Sequence, residues 1–137
     1  MPKGAWCDLV RVHVNGDLLL QGTSGVRIAG STIAGDVQVV NTTAASDAMS
    51  SGANVICNTA VAGDLHVQNS GPASPWRFGG CGPTLVGGNL LFQQNAGTGN
   101  TIANTTVIGN LQCQGNHDVS GSNVTVGGRR LGQCAGL

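Results

Sequence analysis

Apolar residues in this chain recur at every second position over short stretches, and the stretches themselves recur. VNGDLLLQ begins at Val14, IAGDVQVV at Ile33, VAGDLHVQ at Val61, VGGNLLFQ at Val86 and VIGNLQCQ at Val107, with a degenerate copy, VGGRRLGQ, at Val126. The glycine before Asp or Asn serves as an anchor. Anchors fall at Gly16, Gly35, Gly63, Gly88, Gly109 and Gly128, at intervals of 19, 28, 25, 21 and 19 residues. A period near ~20 with insertions predicts a solenoid. The apolar spacing is two rather than three or four, so the unit is built of strands, not helices.

Aligning the copies gives columns. Two before the anchor stand Val14, Ile33, Val61, Val86, Val107 and Val126; two after it stand Leu18, Val37, Leu65, Leu90 and Leu111; four after it stand Leu20, Val39, Val67, Phe92 and Cys113. Alternate side chains of a strand point to one face, so these columns predict an interior, while Gln38, His66 and Gln112 point out. A second strand is expected upstream of each anchor, containing Val26 and Ile28, Val55 and Cys57, and Ile102. The expected fold is all-β: a single-domain, three-sided, right-handed parallel β-helix of about six coils over residues 1–137. Its hand follows from the general rule for parallel crossovers. The anchor glycine is expected to permit a tight corner. Residues 41–53 and 68–82 are expected as loop insertions, and residues 127–137 as a C-terminal cap.

Composition narrows the function. A formal net charge of zero with 9% charged residues argues against nucleic-acid or anionic-membrane partners. No stretch is long and apolar enough to span a bilayer. Hydrophobic residues make up 40%, enough for a core, but aromatics are only 3%. The N-terminal MPKGAWCDLV has no apolar signal-peptide region, whereas 5 cysteines in so short a chain point to an oxidising compartment. Both observations fit a mature or excerpted piece of an extracellular or cell-surface protein.

The G-D/N-L-x-V pattern resembles right-handed parallel β-helix proteins, and its simple coils resemble the bactofilin type, which are polymerising bacterial scaffolds. The ending is similar to secreted, uncharacterised actinobacterial repeat proteins. The residues that carry this are Val107 to Asn116, then Gly127, Gly128 and Gly132-Gln133-Cys134, with Arg129 where Asn is expected. That resemblance implies extracellular localisation and no known activity.

Stacked coils bring like positions into disulfide range. Cys57 and Cys81 lie six and seven before successive anchors, and Cys113 and Cys134 lie four and six after successive anchors. Each couple is a disulfide candidate and Cys7 is left unpaired; the alternative is buried free thiols in a reduced protein. No CxxC motif appears, so no metal and no cofactor is expected.

Four features could carry chemistry. The corner column Asp17, Asp36, Asp64, Asn89 and Asn110 could hold Ca²⁺, but Asn in the same column favours turn residues that accept a local backbone N–H. The column Gln21, Gln68, Gln93, Gln114 and Gln133 is read first as an amide ladder along the rod, and second as an exposed stripe for carbohydrate. Thr32, Thr106 and Thr125 suggest ice binding, but Ala60 and Leu85 interrupt the file; Ser31, Thr59, Thr84 and Thr105 have inward parity. Trp76, Arg77 and Phe78 form the best binding candidate, an exposed aromatic cluster of the kind used at hot spots, or else a lid folded back on the preceding loop. Catalysis is the weakest reading; a pocket between the two loops would have His66 and Asp47 near it. The favoured function is a non-enzymatic secreted structural or interaction solenoid. It would bind itself, by end-to-end stacking into a fibre, or a cell-surface or glycan partner. The alternatives are a carbohydrate-binding or polysaccharide-processing β-helix using the Trp76 loop and, more remotely, ice binding.

Overall fold

A computed structural model describes residues 6–43, 53–72 and 75–137. All sixteen regular elements among them are strands, and all their pairings are parallel, giving a β-solenoid of about six coils. The coil has three sides. The first is built from β1 (Trp6–Val10), β4 (Gly25–Ala29), β7 (Asn54–Cys57), β10 (Trp76–Phe78) and the leading parts of β13 (Thr101–Val107) and β15 (Ser120–Val126). The second is built from β2 (His13–Val14), β5 (Thr32–Ile33), β8 (Ala60–Val61), β11 (Thr84–Val86) and the trailing parts of β13 and β15. The third is a separate six-stranded sheet of β3 (Leu18–Gln21), β6 (Val37–Val40), β9 (Leu65–Gln68), β12 (Leu90–Gln93), β14 (Leu111–Gln114) and β16 (Arg130–Gly132).

Register follows the anchors. Leu90 pairs with Leu65 and Leu111, and Phe92 with Val67 and Cys113. The expected interior columns are interior: Ile33, Val61, Val86, Val107, Val37, Leu65, Leu90 and Leu111 are all buried. The expected upstream strand is present, and in the third coil it spans Asn54–Cys57 with Val55 and Cys57 in it. Ile28 pairs with Ile56, not Val55, so Asn54 and Ile56 face in and Val55 faces out. Ile28 and Ile56 stand equally far before their anchors, and because side chains alternate, a slip of one exchanges the faces.

Residues 68–82 are not simply a loop, as expected from the sequence. They contain β10, which pairs with β7 on one side and β13 on the other, so the stretch completes the first side of its coil. Of the expected insertion at residues 41–53, residues 44–52 lie outside the described residues.

The anchor glycines also act otherwise than expected. Their φ values are not positive, so no left-handed turn is involved. A Cβ on Gly35, Gly63, Gly88, Gly109 or Gly128 would lie 2.1, 2.0, 2.2, 2.4 or 2.3 Å from the Oδ1 of the Asp or Asn in the preceding coil. Glycine is needed because the side chain below occupies that space. At Gly16 no atom of the described residues lies within 4 Å of such a Cβ. The left-handed corners are elsewhere, five before the anchor at Arg11, Gly30, Asn58, Asn104 and Asn123, and six after it at Gly22, Asn41, Asn69, Gln94 and Gly115. Asn and Gly tolerate that conformation best.

Both expected disulfides are present. Cys57–Cys81 has a Cα separation of 5.4 Å and Cys113–Cys134 of 5.3 Å. The first ties β7 to the turn after β10. The second closes the C-terminal end of the core, where Cys134 is buried, Leu137 packs on the core beside Gly121, and the Arg130 guanidinium donates to the carbonyls of Val124 and Leu137. Cys7 is a buried free thiol whose pKa is pushed up to about 11 by burial and then by the negative charge of Asp8. Two expected results follow. Opening either disulfide, by Cys57→Ser or Cys134→Ser, lowers stability by about 2–4 kcal/mol in chemical denaturation. Iodoacetamide at pH 8 leaves Cys7 unmodified in the folded protein and labels it after unfolding, as intact mass would report.

Candidate functional site

The corner column forms a continuous hydrogen-bonded file along the rod. The Oδ1 atoms of Asp17, Asp36, Asp64, Asn89 and Asn110 accept the backbone N–H of Asp36, Asp64, Asn89, Asn110 and Arg129, at 2.8, 2.8, 2.7, 2.8 and 2.8 Å. The expectation of a local turn bond is therefore corrected. Each side chain serves the next coil rather than its own turn, and the glycine gap lets it reach. Since Asn supplies the same carbonyl oxygen as Asp, the column accepts either.

A second file lies inside and had no sequence reading. Asn95 and Asn116 are buried, with Asn95 Oδ1 accepting from Ser70 N–H and Asn116 Oδ1 accepting from Asn95 N–H and Nδ2. Asn116 in turn donates through N–H and Nδ2 to Gln133 Oε1, and Gln133 Nε2 donates to the Asn116 carbonyl. Gln133 thus leaves the outward glutamine column to which its spacing assigned it and closes the inner file. The signal was available seven after the anchor, where Thr23, Thr42, Ser70, Asn95 and Asn116 are all polar. On the first side, Asn54 Oδ1 accepts from Val26 N–H and Asn100 Oδ1 from Trp76 N–H.

The remaining glutamines do stack. Gln68, Gln93 and Gln114 pair in register, while Val40 stands between Gln21 and Gln68. No side-chain hydrogen bond joins Gln21, Gln68, Gln93 and Gln114 to one another, so they are an outward amide stripe, not a bonded ladder. Ser31, Thr59, Thr84 and Thr105 are buried and donate to backbone carbonyls, as in Thr59 Oγ1 to Cys57 O at 2.8 Å and Thr105 Oγ1 to Ala103 O at 2.8 Å.

The Trp76–Arg77–Phe78 candidate is changed most. Trp76 is 0% and Phe78 1% exposed. Their rings stack with centroids 5.8 Å apart, and Phe78 meets Phe92 edge-on at 5.6 Å. Trp76 Nε1 donates to Ser70 Oγ at 2.8 Å, which satisfies its polar atom inside the core. Neither an exposed hot spot nor a lid describes this cluster, and only Arg77 faces out. The P-W-R-F run is a period-two strand with both rings on one face, and that alternation was the missed signal.

Two shallow depressions lie on the third side. One of about 260 Å³ is lined by Gln93, Gln94, Gln114 and Gly115. The other, about 160 Å³, is lined by Asp36, Val37, Gln38, Asp64, His66 and Leu91, and the buried His66 Nε2 has no hydrogen-bond partner among the described residues. Asp47, expected near His66, lies outside the described residues. On the first side Arg27 and Asp8 form a two-pronged ion pair at 2.7 and 2.8 Å. No helix among the described residues is long and apolar enough to cross a membrane.

Two carboxyls are held below their ordinary value of 3.8: Asp8 by the hydrogen bond from Arg27, and Asp118 by those from Gly99 N–H and then Asn100 N–H. A lowered folded pKa gives stability that is complete above the unfolded value and is lost as pH falls through the folded one. Below about pH 4 the melting temperature is therefore expected to fall. Asp8→Asn with Asp118→Asn should flatten that limb while leaving the neutral-pH trend unchanged. Both sites are exposed, so the effect is small.

Compared with protein-family models, curated proteins and solved structures, the chain matches none.

Proposed function

We propose that this chain is a non-enzymatic structural and interaction rod that works outside the cell. The observation that carries the reading is where its polar chemistry goes. The Asp and Asn side chains at the corners, the buried Asn column and the inward Ser and Thr hydroxyls all bind the backbone of a neighbouring coil or of their own. Groups that could bind substrate or move protons instead hold the coils in register. Two disulfides add to that stiffness and suit an oxidising compartment. Kinship with bactofilin-type coils, which rests on the repeated G-D/N-L-x-V pattern, and with secreted actinobacterial solenoids, which rests on Val107 to Asn116, Gly127, Gly128 and Gly132-Gln133-Cys134, belongs to the same proposal.

At the last coil Cys134 is buried and Leu137 packs on the core, and Arg129 stands in the corner column where the earlier coils carry Asp or Asn. The carbohydrate reading loses its anchor, because the Trp76 and Phe78 rings lie within the core. The test is a glycan array together with a polysaccharide-lyase screen on the folded, oxidised protein. No turnover and no glycan held at micromolar concentration is the expected result; a defined glycan bound or cleaved would overturn the structural reading.

A further inference from the structure

We propose that Asn15 is a self-modification site, at which the side-chain amide closes on the backbone nitrogen of Gly16 and ends as aspartate or isoaspartate. Both residues lie at the corner between β2 and β3. Asn15 is the one asparagine of the chain that glycine follows, and a residue without a Cβ lets the backbone turn freely toward the attack. Both are exposed, and the Asn15 carboxamide makes no hydrogen bond among the described residues. The Gly16 N–H meets no acceptor among them either, and a Cβ there would lie within 4 Å of none of their atoms. Every later copy of this corner is closed. Gly35, Gly63, Gly88, Gly109 and Gly128 donate their N–H to the carbonyl of the anchor glycine one coil earlier, at 3.0, 3.0, 2.9, 2.8 and 2.9 Å. The asparagines with the next most permissive followers are closed in the same way. After Asn69 the Ser70 N–H donates to Asn95 Oδ1, after Asn95 the Ala96 N–H donates to the Ser70 carbonyl, and after Asn116 the His117 N–H donates to the Asn95 carbonyl. The remaining asparagines precede Thr, Val or Leu, whose branched side chains crowd the attacking nitrogen.

The step needs no reagent but water. The Gly16 nitrogen attacks Asn15 Cγ, a C–N bond forms, the bond from Cγ to Nδ2 breaks, and ammonia leaves with the proton of the Gly16 N–H. Water then opens the five-membered imide. Opening at Cγ leaves aspartate; opening at the main-chain carbonyl leaves isoaspartate, with the chain routed through Cγ and one methylene longer. Either product takes the formal net charge from zero to one negative charge, next to Asp17. Isoaspartate also lengthens the link between β2 and β3, which pair with β5 and β6, so it loosens the first coil against the second. The products accumulate with the age of the molecule. This goes beyond the structural reading above and does not rest on it.

The test is a time course of the purified, oxidised chain at physiological temperature and mildly alkaline pH, folded and in urea. Isoelectric focusing follows the charge, and peptide mapping with isoaspartyl methyltransferase labelling locates the site. The set is wild type, Asn15→Gln and Ala62→Asn. The last places an Asn-Gly pair at the same corner in the third coil, where the Gly63 N–H is bonded to the Gly35 carbonyl. Ala34→Asn, before the bonded Gly35, stands in should Ala62→Asn misfold by circular dichroism. Folded wild type should react at Asn15 within about threefold of its unfolded rate, as a corner that opens at little cost allows. Asn15→Gln should keep its charge. In the folded Ala62→Asn variant the introduced asparagine should react at least about tenfold more slowly than in urea, because its glycine must first give up a bond to the coil below. Folding that slows Asn15 as much as the introduced asparagine overturns the proposal. So does an introduced asparagine that reacts as fast as Asn15 in the folded protein, or a charge shift that maps to Asn69, Asn95 or Asn116 instead.

Discussion

Replacing Gly63 by alanine is expected to destabilise the fold by about 2–4 kcal/mol, while the same change at Gly16 should fall within about 1 kcal/mol of wild type. The two glycines hold the same place in the repeat and differ in what stands below them. A Cβ at Gly63 would sit 2.0 Å from Asp36 Oδ1 and 3.0 Å from the Gly35 carbonyl oxygen, whereas at Gly16 no atom of the described residues lies within 4 Å. The new methyl must expel the Asp36 carboxylate, which then loses its 2.8 Å bond from Asp64 N–H. Urea unfolding of Gly16→Ala, Gly63→Ala, Asp36→Ala and the Asp36→Ala/Gly63→Ala pair measures this. Removing the carboxylate makes room for the methyl, so the double variant should cost at least about 1 kcal/mol less than the sum of the singles. Equal costs at Gly16 and Gly63 would return the glycine to the role of a simple turn residue.

The second large effect is at Trp76. Trp76→Ala is expected to cost about 3–5 kcal/mol, as for other fully buried aromatic residues, and Arg77→Ala less than about 0.5 kcal/mol. Trp76 is stacked on Phe78 and bonded to Ser70, whereas Arg77 points away from the core on the same strand. Denaturation midpoints with unchanged m-values would report the difference. Fluorescence gives a second readout. Of the two tryptophans Trp6 is 46% exposed and Trp76 is 0% exposed, so Trp76→Phe should remove the blue-shifted, quencher-resistant component. Should Trp76→Ala leave stability unchanged, the ring belongs on the surface and the carbohydrate reading regains its anchor.

The sequence was most informative where the repeat is regular. Val61, Leu65 and Val67 could be placed inside, and their partners in adjacent coils named, because one anchor sets the register of all of them. Both disulfides were legible for the same reason: stacking converts a position in the repeat into a position in space. The columns were less informative where the interval between anchors stretches. Trp76 stands twelve before its anchor while its partner Asn54 stands nine before its own, so β10 falls out of the repeat's alignment and reads as part of a loop.

By itself the sequence determined the class of fold, about how many coils it has and the apolar columns, and narrowed the cysteines to two candidate pairs. Each is a consequence of period, and period is a property of one chain read along its length. Only the tertiary structure decided what the polar residues do. An aspartate at a corner can bond its own turn or the coil above it, and the choice depends on whether the glycine above leaves a gap. A Trp-Arg-Phe run can lie on a tip or across a core, and here the small polar neighbours Asn54 and Asn100 on either side of Trp76, together with the Ser70 hydroxyl, make room for the indole within. These outcomes turn on contacts between residues about 20 or more apart, where the shape of one coil sets the space open to the next.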